Sequence, residues 1–176
     1  MSSAVAEVES PLAAIADTEL TKATLSAVSN GLAMCEVSAK CVGLSSVPGH
    51  DSGLITGLIG VHGRVSGFIT VNLAERFAIR AVEGLCQEKF GGLTSQVVDG
   101  VGELTNIIVG GIKSQLAGTP WGFTHITVPS VIVGKGYHIA YARGLSFLCA
   151  SFEGNDTEAV MLEDRMLQVS LSFLRL

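Results

Sequence analysis

The chain has 176 residues, of which 48% are hydrophobic and 15% charged, and a formal net charge of −5. This composition excludes extended disorder away from the ends and predicts one domain with a substantial core. The acidic balance, without any Lys/Arg cluster, argues against a nucleic-acid ligand or an anionic membrane surface.

Residues 1–16, rich in Ala, Ser and acidic groups and carrying Pro11, read as a flexible N-terminal arm, leaving 17–176 as a single domain. Asp17 is placed to cap a first helix with apolar positions Leu20, Leu25 and Val28, and Asn30-Gly31 reads as its stop. A strand is expected at about 34–44, followed by the loop Ser45-Ser46-Val47-Pro48-Gly49. The β-rich runs 54–61 and 65–72 predict a hairpin through His62-Gly63-Arg64, with Gly63 supplying the permissive turn backbone. Asn72, with Glu75 three residues on, resembles a capping box opening a second helix to about Lys89. Gly91-Gly92 separates it from a long helix capped by Thr94 or Ser95 and running to about Ala117, where Gly118, Pro120 and Trp121 break it.

The remainder reads as strands: His125 to Val133, His138 to Phe152 and Leu167 to Phe173. In the last, Leu167, Val169, Leu171 and Phe173 alternate with Gln168, Ser170 and Ser172, the period of a half-buried strand. Residues 155–165 are a polar insertion with room for a helical turn. The expected fold class is α/β of the α+β type, a mainly antiparallel sheet with long helices packed on one face.

No apolar run approaches the roughly 18–20 residues of a membrane-spanning helix, and the N-terminus lacks the charged-then-apolar pattern of a signal peptide, so a cytoplasmic location is expected. Four cysteines (Cys35, Cys41, Cys86, Cys149) and four histidines (His50, His62, His125, His138) are dispersed without ligand spacing. Free buried thiols and no metal or cofactor of the chain's own are the expectation.

The long helix carries the chemistry. Asp99, Glu103, Asn106 and Gly110 fall at i, i+4, i+7 and i+11, one narrow stripe at roughly 100° per residue. Val97, Val98, Val101, Leu104, Ile108, Val109, Ile112 and Leu116 cover most of the opposite side. Asn is a poor helix former, and Gly100, Gly102, Gly110 and Gly111 each cost about 1 kcal/mol against Ala in a helix interior. A bare backbone at Gly110 lets a partner approach, whereas Gly100 and Gly111 lie off the stripe and suit tight packing. An amide donates and accepts hydrogen bonds at once, which suits holding a water in line with an electrophile. A carboxylate three residues earlier suits pairing with a cation on a partner. No nucleophile–base dyad or phosphate-cradling loop accompanies them, so the helix is suited to a partner that already carries a phosphoryl group and its metal.

The run Glu103-Leu-Thr-Asn106-Ile-Ile-Val-Gly110, with Asp99 upstream and Pro129-Ser-Val-Ile-Val-Gly134 downstream, resembles the signature of the CheC/CheX/FliY chemotaxis phosphatases. The resemblance extends from about Leu20 to the C-terminus, while the 155–165 insertion and the arm find no place in it. It implies hydrolysis of the aspartyl phosphate on a CheY-like receiver domain, with Asn106 orienting the attacking water and Glu103 engaging the receiver's lysine. Asp99, Gly110 and Lys113 are then candidate receiver contacts, and Mg²⁺ belongs to the receiver. The matching site in the first helix reads Glu19-Leu-Thr-Lys22, so one active site per chain fits CheX better than CheC. CheX-like members form homodimers, and the resemblance implies one here.

Plainer readings stand beside these. Glu103 and Asn106 also fit a solvated helix face, Asp99 a favourable charge near a helix N-terminus, and Lys113 a solvated cation; Trp121 and Phe123 read as core anchors. The competing function is a non-catalytic receiver-binding or flagellar-switch-like docking module. A self-contained small-molecule hydrolase is disfavoured by the missing nucleophile and metal constellation.

Overall fold

The computed structural model describes residues 17–47, 53–137, 139, 141 and 144–175; the N-terminal arm, Pro48, Gly49, His50 and His138 lie outside them. Among the described residues, helix α1 spans Thr18–Met34, strand β1 Ala39–Ser45, β2 Ile55–Gly63, β3 Val65–Leu73, α2 Glu75–Cys86 and α3 Ser95–Gln115. The strands β4 (Phe123–Ile126), β5 (Ser130–Val133), β6 (Ser146–Gly154) and β7 (Met166–Arg175) follow, with a 3₁₀ turn at Leu162–Arg165. The class is α+β, as the sequence predicts. Seven strands form one antiparallel sheet in the order β1-β6-β7-β3-β2-β4, with β5 sharing the outer edge of β2 with β4.

Asp17 caps α1 as expected, its Oδ1 accepting from the amides of Glu19 and Leu20 at 3.0 Å each. Its other oxygen accepts from Trp121 Nε1 at 2.6 Å, and the Arg175 guanidinium lies 4.1 Å from the centre of the Trp121 ring. The start of α1, the turn after α3 and the end of β7 are thereby tied together. The helix does not stop at Asn30-Gly31. Gly31 is a packing position, where a Cβ would stand 2.9 Å from Ile108 Cγ1 of α3. The true end is a Schellman closure in which Val37 N–H donates to Leu32 O and Glu36 N–H to Ala33 O, with Glu36 at φ 54°. The first strand therefore begins later than expected, at Ala39, with a register shift between Cys41 and Gly43.

The β2–β3 hairpin forms, but Gly63 is not among the left-handed residues. Its smallness serves β4 instead, since a Cβ there would lie 2.8 Å from Thr124 N. Asn72 is no helix cap. It is buried in β3, accepting from Gly53 N–H at 2.9 Å and donating to Thr56 Oγ1 at 2.6 Å. The residue preceding α2 is Ala74, which offers no side-chain cap, and α2 ends at Cys86 rather than Lys89, with Gln87 left-handed at φ 54°.

The expected strand His125 to Val133 is two pieces. Thr127, Val128 and Pro129 stand against only Ile59 and Gly60 between the paired positions Ile126–Val61 and Ser130–Leu58. Pro129 has no N–H for the ladder, and the extra residue makes a bulge. Strand β6 starts at Ser146, later than expected, after Gly144 at φ 87°.

The inward positions of β7, Leu167, Val169, Leu171 and Phe173, are buried as their alternation predicts, joining Ile55, Ile59, Ile69 and Val71 beneath the helices, but Ser170 and Ser172 on the other side are buried too, so the strand is not half-buried there. Helix α3 packs against β2 and β3, and α1 and α2 pack against α3. Segment 155–165 does contain a helical turn. It is fastened to α2 by Asp156, which lies 2.6 Å from Arg76 Nε and 3.2 Å from Arg80 Nη1. The Arg76 hydrogen bond holds the Asp156 carboxyl well below the usual carboxylate range. Cys35 and Cys149 are buried free thiols as expected, whereas Cys41 is half-buried and Cys86 exposed. Burial pushes the Cys35 thiol up to about 11.

Candidate functional site on helix α3

Helix α3 is 21 residues long and capped by Thr94, whose Oγ1 accepts from Val97 N–H at 3.3 Å. Val97, Val101, Leu104, Ile108, Val109, Ile112 and Leu116 are wholly buried. On the other side Asp99 and Glu103 are exposed, and Asn106, Gly110 and Lys113 half-buried. The five residues thus share one open face, with Glu103 and Asn106 three apart and their Cβ atoms expected about 5–6 Å from each other.

The four glycines of α3 divide by what surrounds them. A Cβ at Gly100 would stand 2.8 Å from Val82 Cγ2 of α2, and one at Gly111 would stand 3.1 Å from Ala27 Cβ of α1. These two admit neighbouring helices. At Gly102 a Cβ would meet Val131 Cγ2 at 3.5 Å and Pro129 Cβ at 3.8 Å, so the bulge after β4 borders the Glu103/Asn106 turn. A Cβ at Gly110 would meet no atom of the described residues beyond its own helix backbone within 4 Å. Bare backbone is open to an incoming surface there.

Among the described residues, neither the Glu103 carboxylate nor the Asn106 carboxamide has an intramolecular hydrogen bond or ion pair. Buried polar groups are almost always paired; half-open ones left free are available to a partner. Thr105, by contrast, is wholly buried, and its hydroxyl donates to Val101 O at 2.7 Å. Its residue type does not single Thr105 out in the sequence, and only its place on the buried side of the helical wheel marks it. Among the described residues, no group of three or more His, Cys, Asp or Glu side chains is arranged to hold a metal, and no helix is long and apolar enough to cross a membrane.

A family model described as chemotaxis phosphatase CheX matches residues 55–153, more than half of the chain. A search of curated proteins returned no match. Among solved structures, chemotaxis protein CheX from Vibrio vulnificus is similar at 25% identity and a TM-score of 0.75, covering 89% of this chain and 99% of that one. A putative chemotaxis protein from Desulfovibrio vulgaris Hildenborough is similar at 25% identity and a TM-score of 0.74, covering 89% of this chain and 97% of that one. The CheX–CheY–BeF3–Mg²⁺ complex from Borrelia burgdorferi shares the fold at 20% identity and a TM-score of 0.67, covering 89% of this chain and 96% of that one. With its long helix, its antiparallel sheet and a family match that runs from β2 through α3 into β6, the chain belongs to the CheX family of chemotaxis phosphatases.

Proposed function

We propose that this chain hydrolyses the aspartyl phosphate of a CheY-like receiver domain, using the open face of α3. The observation that carries the reading is a carboxylate and a carboxamide with no partner among the described residues, on one face of a helix whose other side is largely buried. A mid-helix Asn with no partner of its own has little structural reason to be there. Membership of a phosphatase family supports the reading, as does a Borrelia relative of the same fold held in complex with CheY, BeF3 and Mg²⁺.

The chemistry follows from the two groups. The Asn106 carboxamide accepts from a water and donates to it or to a phosphoryl oxygen, holding the water in line with the phosphorus. Water oxygen bonds to phosphorus as the bond to the receiver's aspartyl oxygen breaks. The products are inorganic phosphate and the free carboxylate. The receiver, as substrate, brings the Mg²⁺ that neutralises the developing charge. Glu103 pairs with the receiver's lysine and fixes the docking register. Asp99, Gly110 and Lys113 lie along the same face as further contacts. On this reading the protein acts in the cytoplasm and works as a homodimer with one site per chain, which sedimentation at micromolar concentration would test.

The decisive measurement is decay of a phosphorylated CheY-type receiver with wild-type protein and with Asn106→Ala. Accelerated decay that is lost in the variant while binding persists is the expected result. Binding without acceleration in the wild type would replace catalysis with docking.

A further inference from the structure

We propose that Gly57 of β2 and Thr105 of α3 form a seat that sets the position of the Glu103/Asn106 turn above the sheet, making both positioning residues for the phosphatase reaction. The inference rests on the phosphatase reading for its consequence and on packing for its existence.

Helix α3 comes down on the sheet where its polar groups stand. A Cβ built on Gly57 would lie 2.8 Å from Thr105 Cβ and 2.9 Å from Thr105 Cγ2, and closer still to the hydroxyl oxygen. The Thr105 side chain therefore occupies the space that any other residue at 57 would fill. Nor can it easily turn away, because Thr is stiff at χ1 and its hydroxyl is bonded to Val101 O at 2.7 Å. That back-bond to the carbonyl four residues earlier is of the kind that bends helices.

Gly57 is itself held on both sides, paired with Val71 of β3 and Val131 of β5. Val131 is the residue that meets Gly102, one position before Glu103. Strand, bulge and helix thus converge on the turn that carries Glu103 and Asn106, with Thr105 between those two in sequence and pointing the opposite way, into the core. Adding a methyl at 57 requires the helix turn to rise by at least roughly 0.7 Å if carbon–carbon contact is to recover about 3.5 Å, and by more to clear the hydroxyl oxygen, which starts closer. A water-positioning amide displaced by that amount loses its in-line geometry, and misplacement of about 1 Å costs on the order of 100-fold in rate.

The test is Gly57→Ala, assayed in the full chain for receiver-phosphate decay at a temperature well below its melting point. The expected result is a fall in kcat of about 10- to 100-fold with receiver affinity within threefold of wild type. The double variant Gly57→Ala/Thr105→Gly removes the obstructing side chain and is expected to recover at least tenfold of that loss. A folded Gly57→Ala protein with wild-type kcat overturns the seat, as does a double variant no better than the single one. Should Gly57→Ala not fold, Thr105→Ile crowds the same contact from the helix side, and wild-type kcat in that variant also overturns it. If wild-type protein fails to speed decay at all, the phosphatase reading falls. The seat is then judged by amide chemical shifts, which in Gly57→Ala must move at residues 103–106 and stay fixed at 112–115.

Discussion

Two chemically identical substitutions in one helix are expected to act in opposite directions. Gly100→Ala and Gly110→Ala both replace a mid-helix glycine of α3 by the best helix former, a gain of about 1 kcal/mol in backbone propensity. At Gly110 nothing within 4 Å opposes the new methyl, and the backbone is not left-handed. That variant should be more stable than wild type by about 0.5–1 kcal/mol, raising the melting temperature by about 1–4 °C for a chain of this size. At Gly100 the methyl would meet Val82 Cγ2 at 2.8 Å and Cγ1 closer still. Val82 is wholly buried and β-branched, so it cannot rotate aside. Overpacking of about 1–3 kcal/mol then exceeds the propensity gain, for a net loss of about 0–2 kcal/mol. Function should move the other way. Gly110 lies on the proposed docking face, and its variant should bind a phosphorylated receiver about tenfold more weakly, whereas folded Gly100→Ala should bind as wild type does. Urea melts and titration of a receiver locked with a phosphate mimic read both quantities. A Gly110→Ala protein that is less stable, or that binds and turns over normally, would refute the division of these glycines into one kept open for a partner and one kept small for packing.

Other outcomes follow from individual contacts. Asn106→Ala should lower kcat by at least 100-fold with little change in receiver affinity, and Glu103→Ala should weaken both, read from single-turnover decay over a range of protein concentrations. Asp156→Asn tests the anchor on α2. Hydrogen bonding from Arg76 holds the native carboxyl below its ordinary pKa, so its stabilisation is complete above the unfolded value of about 4 and fades as pH falls below it. The variant should accordingly show a flatter loss of stability between about pH 5 and 2 in acid titrations followed by circular dichroism. At Asp17 burial pushes the carboxyl up, but the Trp121 N–H and the amides of Leu20 and Glu19 outweigh it and hold the group below its usual range. Asp17→Ala removes a helix cap and leaves the Trp121 N–H unpaired, which should cost about 1–3 kcal/mol in urea melts.

The open face of α3 was legible because a helical period fixes which residues share a side before any tertiary contact is known. Asp99, Glu103, Asn106 and Gly110 had to align once residues 95–115 were helical, and the apolar positions had to face the core. The same holds for Leu167 to Phe173, where a period of two settled the inward set. Several of the failures involve residues whose local habit was overruled by a distant partner. Gly31 resembles a helix stop but is a notch for Ile108, seventy-seven positions along the chain. The real stop uses Glu36, a residue type that left-handed geometry disfavours. Asn72 has the spacing of a cap, yet its carboxamide joins Gly53 and Thr56 inside the sheet. Gly57 had no local signature whatever, since only the arrival of Thr105 makes its missing side chain matter.

The shape of the candidate site bears on what kind of substrate it suits. Small-molecule sites are concave and bury most of their ligand. The α3 face is the outward side of a helix, and the clefts of about 690 and 300 Å³ lie along α2, lined by residues such as Arg76, Arg80, Glu83 and Lys89 and by none from α3. A free phosphoester meeting Glu103 and Asn106 would remain largely in water, where a carboxamide offers little that water itself does not. The same two groups gain force when another surface closes over them, because exclusion of water strengthens each hydrogen bond and fixes its direction. On the proposed reading, a receiver domain would supply the phosphoryl group, the cation and that enclosing wall together. On the proposed reading, the carboxylate of Glu103, the carboxamide of Asn106 and the open glycine at 110 form half of an active site that its substrate completes.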